Sequence, residues 1–564
     1  MKGKRVRQIN NLVITKADNM YMVWTPFDEL IYTSYDLKDV IQKSKSCTTY
    51  LKKRNTTTKD SGWLIELTGF SLKQYIETTK YQDLSERDFV SCVYHYLTKS
   101  HSNRVLSISG LRGTGKTTGI LQAIARLNDY DNTVFLSINA GANINSQDLC
   151  LLINRKYSNK KYIIIDEITR VTGMIEGVSF LSDNYCMSGK RVVISGTDSF
   201  ALDLVSNASL YHRVINKNVT FVSYAETKRT LGLSVSEYID YGGLFTFDKL
   251  RDVEDAYRYT QTAIIDNILN TIRHNKSNSG VMLLRNVDDL TIRNVVFRIL
   301  YAIVYSHYTD RVNFQRVLNS YDKKEVTLYG IETLNQLLAD SLGLDIDLVV
   351  PRNIVLEVLK IMERIGVVVS TSNIINKTDR NYWITNPSLY NQLMKSLNDI
   401  MGEESLTISN NRNNSFAGLL FEAMIVTHTI RFSKEQGLNM YFYHKENEEI
   451  DLIVEKLSED SRIRYLGLYE IKLQPNSDYI VSTRLKWLNN IETINNIKTY
   501  GKIICKGVLY NGKDKVFNGY EDRNIYKKIV DAKEKEVLNK GTRFIGAERY
   551  LLNLKTELNT LLNQ

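Results

Sequence analysis

The chain has 564 residues, too many for one ordinary core and enough for three or four domains at about 150 residues each. Hydrophobic residues make up 43% and charged residues 24%, a globular balance that excludes wholesale disorder and a fibrous repeat. Lys and Arg (73) exceed Asp and Glu (63), and the net charge of +10 favours a polyanionic partner such as DNA or RNA, with an ordinary basic protein as the equal alternative.

Residues 1–84 form a basic N-terminal region whose start, MKGKRVRQ, lacks an apolar core, so no signal peptide is expected. The five cysteines (Cys47, Cys92, Cys150, Cys186, Cys505) are scattered and form no CxxC pair. They signal neither zinc nor a disulfide framework and suit a reducing cytoplasm.

Residues 85–225 alternate strand and helix, which predicts an α/β domain with a parallel sheet. The apolar run Val105–Ile108 enters Gly110-x4-Gly115-Lys116-Thr117, a complete P-loop leading into a helix over Thr117–Leu127. Its glycines let successive N–H groups face phosphate oxygens, so Gly110, Gly113, Thr114, Gly115, Lys116, Thr117 and Thr118 are the candidate ATP-binding residues. Lys116 is expected at the β- and γ-phosphates and the Thr117 hydroxyl on Mg²⁺.

Strand Thr133–Ile138 and helix Ser146–Tyr157 follow. The apolar strand Lys161–Asp166 then ends in two carboxylates. An Asp-Glu pair after a strand also marks a helix N-cap, but beside a P-loop it points to Asp166 as a Mg²⁺ ligand through water and Glu167 as the group activating the attacking water. Strand Arg191–Ser195 places Ser195, or failing that Thr197, as a γ-phosphate sensor, the alternative being a plain strand-to-helix turn. A last strand is predicted over Asn218–Val222. Arg170 and Arg213 are candidates to meet a phosphate or to make surface ion pairs.

Residues 226–400 read as a helical lid and a winged-helix-like unit. Helices are predicted over Thr262–Ile272, Leu290–Tyr305, Gly330–Ser341 and Asn353–Ile365, then strands at Val367–Ser370 and Tyr382–Thr385. Lys377 and Arg380 make the wing basic, for DNA or for interdomain packing. The most apolar helical stretch, Val295–Val304, contains Arg298, so no membrane span is expected.

A polar linker is expected at Ser409–Ser415, and an α/β unit over residues 410–515. It comprises helix Phe416–Arg431, strands Met440–His444, Glu449–Glu455 and Arg464–Leu473, helix Val481–Ile491 and strand Lys502–Leu509. Residues 516–564 read as a helical extension. Period-two alternation puts Glu470 and Lys472 on one strand face, and with Asp451 and Glu422 they can hold Mg²⁺ or Mn²⁺ while the lysine stabilises a water nucleophile or a phosphate transition state. A surface strand with ordinary Glu/Lys alternation is the plain alternative.

With GLRGTGKTT (Gly110–Thr118), IIIDEIT (Ile163–Thr169), VVISGTDS (Val192–Ser199), YWITNPSL (Tyr382–Leu389), FEAMI (Phe421–Ile425), EIDLIVE (Glu449–Glu455) and YEIKL (Tyr469–Leu473) assembled, the chain resembles bacterial and archaeal AAA-type ATPases. The resemblance is to those that carry a winged helix and a C-terminal PD-(D/E)xK restriction-endonuclease-like domain. It covers roughly 85–515 and implies an ATPase coupled to a metal-dependent nuclease-like module acting on DNA. Ile450 stands where the motif's proline would precede Asp451. The competing expectation is a nucleotide-switched scaffold whose nuclease-like domain binds nucleic acid or protein without cutting. A small-molecule kinase is disfavoured because the Asp-Glu pair suits water activation. ATPases of this class commonly assemble, so a homo-oligomer is one expectation.

Overall fold

The structure is a computed structural model that describes residues 4–9, 12–17, 20–24, 30–34, 63–99, 102–139, 144–197, 213–245, 250–274, 283–308, 352–401, 406–446, 448–473, 488, 491–511 and 542–563. The chain divides into two units. One comprises Met1–Lys80, His101–Val105 and Leu127–Ile194; the other comprises Tyr81–Ser100, Leu106–Arg126 and Ser195–Gln564.

In chain order, Lys4–Ile9 (β1), Leu12–Ala17 (β2), Met20–Trp24 (β3) and Leu30–Ser34 (β4) form an antiparallel meander, a fold for part of the N-terminal region that the sequence left unassigned. Leu64–Thr68 (β5), Gly69–Thr79 (α1) and Asp88–Thr98 (α2) precede the alternating segment. That segment runs Val105–Ser109 (β6), Lys116–Leu127 (α3), Thr133–Ile138 (β7), Ser146–Lys156 (α4), Tyr162–Asp166 (β8), Met174–Leu181 (α5), Arg191–Gly196 (β9) and Val214–Asn218 (β10).

In the first unit β5 lies antiparallel to β7, and β7, β8 and β9 follow in parallel. Every residue of β8 is buried, as a strand covered on both faces must be. In the second unit β6 pairs with β10. The fold class is therefore α/β, with a parallel-sheet P-loop core. One expected strand shifts: β10 is Val214–Asn218, not Asn218–Val222. Its sequence VINKN is mostly polar and only partly buried, so it lacks the apolar run that betrays a central strand. The apolar Val219, Phe221 and Val222 are instead buried in the segment after it.

The second unit continues with Tyr224–Leu231 (α6), Val235–Tyr241 (α7) and Val253–Tyr259 (α8), a π turn at Thr260–Ile265, then Asp266–His274 (α9), Asp289–Tyr308 (α10) and Arg352–Arg364 (α11). Helix α10 carries the apolar Val295–Val304 run into the core, with Arg298 itself buried. Among the described residues no helix is long and apolar enough to cross a membrane. The predicted helix Gly330–Ser341 lies outside the described residues.

Helix α11 closes at Gly366, which sits at φ 80 in the left-handed region that glycine tolerates. A hairpin of Val368–Asn373 (β11) and Arg380–Ile384 (β12) follows. Pro387–Met401 (α12) and Leu406–Gln436 (α13) lead to Asn439–Lys445 (β13), Glu448–Leu457 (β14), Arg464–Lys472 (β15), Ile491–Lys498 (α14), Lys502–Tyr510 (β16), Thr542–Gly546 (β17) and Ala547–Leu552 (α15).

These strands make one seven-stranded mixed sheet ordered β12-β11-β13-β14-β15-β16-β17. Because β11 runs parallel to β13 through Ser372–Tyr441 and Asn373–Phe442, the hairpin is part of the C-terminal sheet and the boundary drawn between residues 400 and 410 does not interrupt it. The linker expected at Ser409–Ser415 is corrected: it belongs to the continuous helix α13. Its asparagines and serines are weak helix formers, but the stretch holds neither proline nor glycine to stop a helix. Within the expected extension, β17 is a strand that joins β16 in parallel. Most of the expected helix Val481–Ile491 lies outside the described residues, and the described helix there, α14, begins at Ile491.

Candidate nucleotide and carboxylate sites

In the second unit the P-loop leaves the fully buried β6 and enters α3. Gly113 and Gly115 lie at φ 83 and 76, and a Cβ on Gly110 would stand 2.0 Å from the Val219 carbonyl oxygen. Only glycine allows that approach. The buried Lys116 donates to the carbonyls of Gly110 (2.6 Å) and Leu111 (2.9 Å), and Thr114 Oγ1 also donates to Leu111 (2.9 Å). Thr117 and Thr118 occupy the first turn of α3. Ser195 is buried in β9, and the Thr197 carbonyl accepts from Asn267 Nδ2 at 2.7 Å.

In the first unit Asp166 ends β8 as a buried carboxylate, and Glu167 adopts φ 59. A left-handed glutamate is uncommon, and such positions concentrate at functional sites. Arg170 lies with Nε 3.9 Å from Glu167 Oε2 and donates from Nη1 to the Ile138 carbonyl at 2.6 Å, so it braces this strand end.

Sequence reasoning missed a buried polar network in the second unit. Arg87 donates to the Thr114 carbonyl (2.5 Å) and, through Nε and Nη2, to both oxygens of Glu226 (3.0 and 2.8 Å). Glu226 also accepts from the Ser223 N–H and hydroxyl at the start of α6, and Arg431 Nη1 lies 3.4 Å away. Burial would raise the pKa of Glu226, but the Arg87 guanidinium outweighs it and holds the carboxyl well below the usual range. On α13, His428 Nε2 accepts from the Tyr224 N–H (2.9 Å) while Nδ1 faces the Met424 carbonyl (2.7 Å), which fixes a neutral tautomer. Burial pulls its pKa down to about 3. The Ser223-x-x-Glu226 spacing is a capping box and was the one legible signal of this network.

The C-terminal carboxylates do converge. Asp451 and Glu470 lie on adjacent antiparallel strands one step beyond the Leu452–Tyr469 pair. Lys472 Nζ sits between them, 3.0 Å from Asp451 Oδ2 and 2.9 Å from Glu470 Oε2. Asp451 Oδ2 also accepts the Ile471 N–H at 2.6 Å, whereas Glu470 Oε1 is buried without a hydrogen-bond partner among the described residues. Burial, then Asp451, push the Glu470 carboxyl up, and burial with Asp451 and Glu449 does the same to Glu422 on α13. Burial would lower the Lys472 pKa, but Asp451 and Glu470 reverse that and keep it charged. Among the described residues no three His, Cys, Asp or Glu side chains already form a metal cage.

A family model described as an AAA domain matches residues 102–228. No curated protein matches the chain. Among solved structures, the Saccharomyces cerevisiae Hsp104:casein complex shares 14% identity over 50% of this chain, at a TM-score of 0.24; this chain spans about half (52%) of that one. AMPPCP-bound DnaA from Aquifex aeolicus shares 15% identity over 49% of this chain and 86% of its own, at a TM-score of 0.24. The Thermotoga maritima RuvB Holliday junction branch migration motor shares 16% identity over 51% and 90%, at a TM-score of 0.24. The matched segment is thus an AAA-type P-loop ATPase domain, a class that binds and hydrolyses ATP.

Proposed function

We propose that the chain is an ATP-hydrolysing enzyme whose nucleotide site controls a metal-dependent nuclease-like site acting on DNA. The observation that carries the nuclease half is Lys472 held between Asp451 and Glu470 beside Glu422, in a basic chain that also bears a P-loop. Lys116 and the N–H groups of Gly113, Thr114 and Gly115 are the phosphate ligands. Thr117 and Asp166 are the residues for Mg²⁺, Glu167 orients the attacking water, and Ser195 senses the γ-phosphate. Bound Mg²⁺ supplies charge neutralisation on the β- and γ-phosphates.

At the second site the orphaned, buried Glu470 Oε1 suits a cation, because a bare carboxylate oxygen is costly to bury without a partner. Glu422, Asp451 and Glu470 are the residues to hold Mg²⁺ or Mn²⁺, and the ion supplies a polarised water and phosphate oxygen. Lys472 adds a fixed positive charge toward the scissile phosphate.

The scaffold reading, in which the nuclease-like domain binds nucleic acid or protein without cutting, is favoured by one observation: the Lys472 ammonium already stands between Asp451 and Glu470, 3.0 and 2.9 Å from them, as their counter-charge. ATP turnover tests the nucleotide half of both readings. Wild type should hydrolyse ATP, Lys116→Ala should abolish it, and Glu167→Gln should bind ATP while losing turnover. Unchanged turnover in Lys116→Ala would refute the nucleotide-site assignment.

A further inference from the structure

The P-loop carbonyls from Gly110 to Thr114 each accept a hydrogen bond, and three of the five donors come from far along the chain. Lys116 takes those of Gly110 and Leu111. The next three have donors from outside the loop: Tyr259 Oη on Arg112 (3.3 Å), the Phe245 N–H on Gly113 (2.8 Å) and Arg87 Nη1 on Thr114 (2.5 Å). No described peptide bond is cis, and in a planar trans peptide the C=O and the following N–H point in opposite directions. Each of these donors therefore fixes the following N–H, that of Gly113, Thr114 or Gly115, on the side of its own peptide away from the donor. Successive N–H groups aimed at one point make an anion-binding nest.

We infer that Arg87, Tyr259 and the Phe245 backbone are positioning groups that preset the P-loop's N–H groups for phosphate before nucleotide arrives. Arg87 is well placed for this: Glu226 grips its other nitrogens, and its guanidinium lies 5.6 Å from the centre of the Phe89 ring and 6.0 Å from that of Phe245. The Phe245 ring and the Arg87 stem also back Gly115, standing 3.5 and 3.6 Å from where its Cβ would be. Tyr259 is the last residue of α8, and eight residues on, past the π turn, Asn267 donates to the Thr197 carbonyl. One helical run thus grips both the P-loop and the segment bearing the candidate γ-phosphate sensor.

The inference rests on the ATP reading, so its test separates the phosphate nest from the rest of the nucleotide. Dissociation constants of the full chain for ATP and for inorganic tripolyphosphate would be measured for wild type, Tyr259→Phe and Arg87→Lys, with thermal melting of each. Loss of one hydrogen bond that aims a donor should weaken binding about three- to tenfold. Tyr259→Phe should show that loss equally for ATP and tripolyphosphate at an unchanged melting temperature. Arg87→Lys should show a larger loss. Tyr259→Phe, whose bond lies at the surface, decides the matter if Arg87→Lys does not fold. Wild-type affinity for tripolyphosphate in a Tyr259→Phe protein of normal melting temperature would overturn the inference. Failure of wild type to bind either ligand would instead sink the ATP reading, and the inference with it.

Discussion

Arg87 and Glu226 face each other as a buried, two-pronged ion pair, Nη2 to Oε2 at 2.8 Å and Nε to Oε1 at 3.0 Å, although 139 positions separate them in the chain. Both are almost wholly out of water, so neither charge can be left alone. Removing one partner from such a pair typically destabilises by about 3–5 kcal/mol. Glu226→Gln should lower stability by about that much at neutral pH in denaturant unfolding. Because the folded pKa of Glu226 is depressed, the pair's contribution is full above about pH 5 and is lost as pH falls through the carboxylate range and below. The variant should therefore lose less stability than wild type on acidification.

His428 gives a second pH signature. Its folded pKa is about 3, so the folded protein binds fewer protons at this ring than the unfolded chain does below about pH 6.5. The groups facing it are Arg431, Glu226, Tyr224 and Tyr238. Its share of stability is complete above pH 6.5 and falls between there and about pH 3, by about 2 kcal/mol at pH 5. In urea unfolding at pH 7 and pH 5, His428→Gln should show a smaller drop than wild type by roughly that amount.

Gly119 in α3 is pressed against Phe89 of α2: a Cβ there would lie 2.3 Å from Phe89 Cζ. Gly119→Ala should cost about 1–3 kcal/mol by overpacking, despite alanine's better helix propensity. Adding Phe89→Leu should recover part of the loss. An additive double variant in thermal melts would contradict this contact.

Lys472 is the counter-charge for two buried carboxylates, so Lys472→Met should destabilise the fold by a few kcal/mol unless those carboxylates take up a proton. Adding Mn²⁺ should raise the melting temperature of Lys472→Met more than that of wild type, and no metal-dependent shift in either protein would count against the proposed cation site.

The ATPase half was legible in local spacing. Gly110 to Thr118 and Ile163 to Glu167 are short motifs whose strand and helix flanks carry strong apolar patterns, and β6, β7, β8 and α3 fall within a residue or two of expectation. Strand alternation put Glu470 and Lys472 on one face, and the hairpin order of the strands bearing Asp451 and Glu470 brought the third residue to them. What stayed hidden depends on long-range pairing: β10 is too polar to announce itself, and Arg87, Tyr259 and His428 find their partners only when distant segments meet. A polar stretch such as Ser409–Ser415 resembles a linker whether or not it coils into a helix.

The most direct test is cleavage of labelled linear, supercoiled and single-stranded DNA with Mg²⁺ or Mn²⁺, with and without ATP. It would compare wild type with Lys116→Ala, Asp451→Asn and Lys472→Ala. Cutting by wild type is expected, with loss of cutting but retained ATP turnover in the Asp451 and Lys472 variants and loss of any ATP response in Lys116→Ala. A wild-type protein that turns over ATP yet cuts none of these DNAs with either metal would contradict the nuclease claim and leave the scaffold.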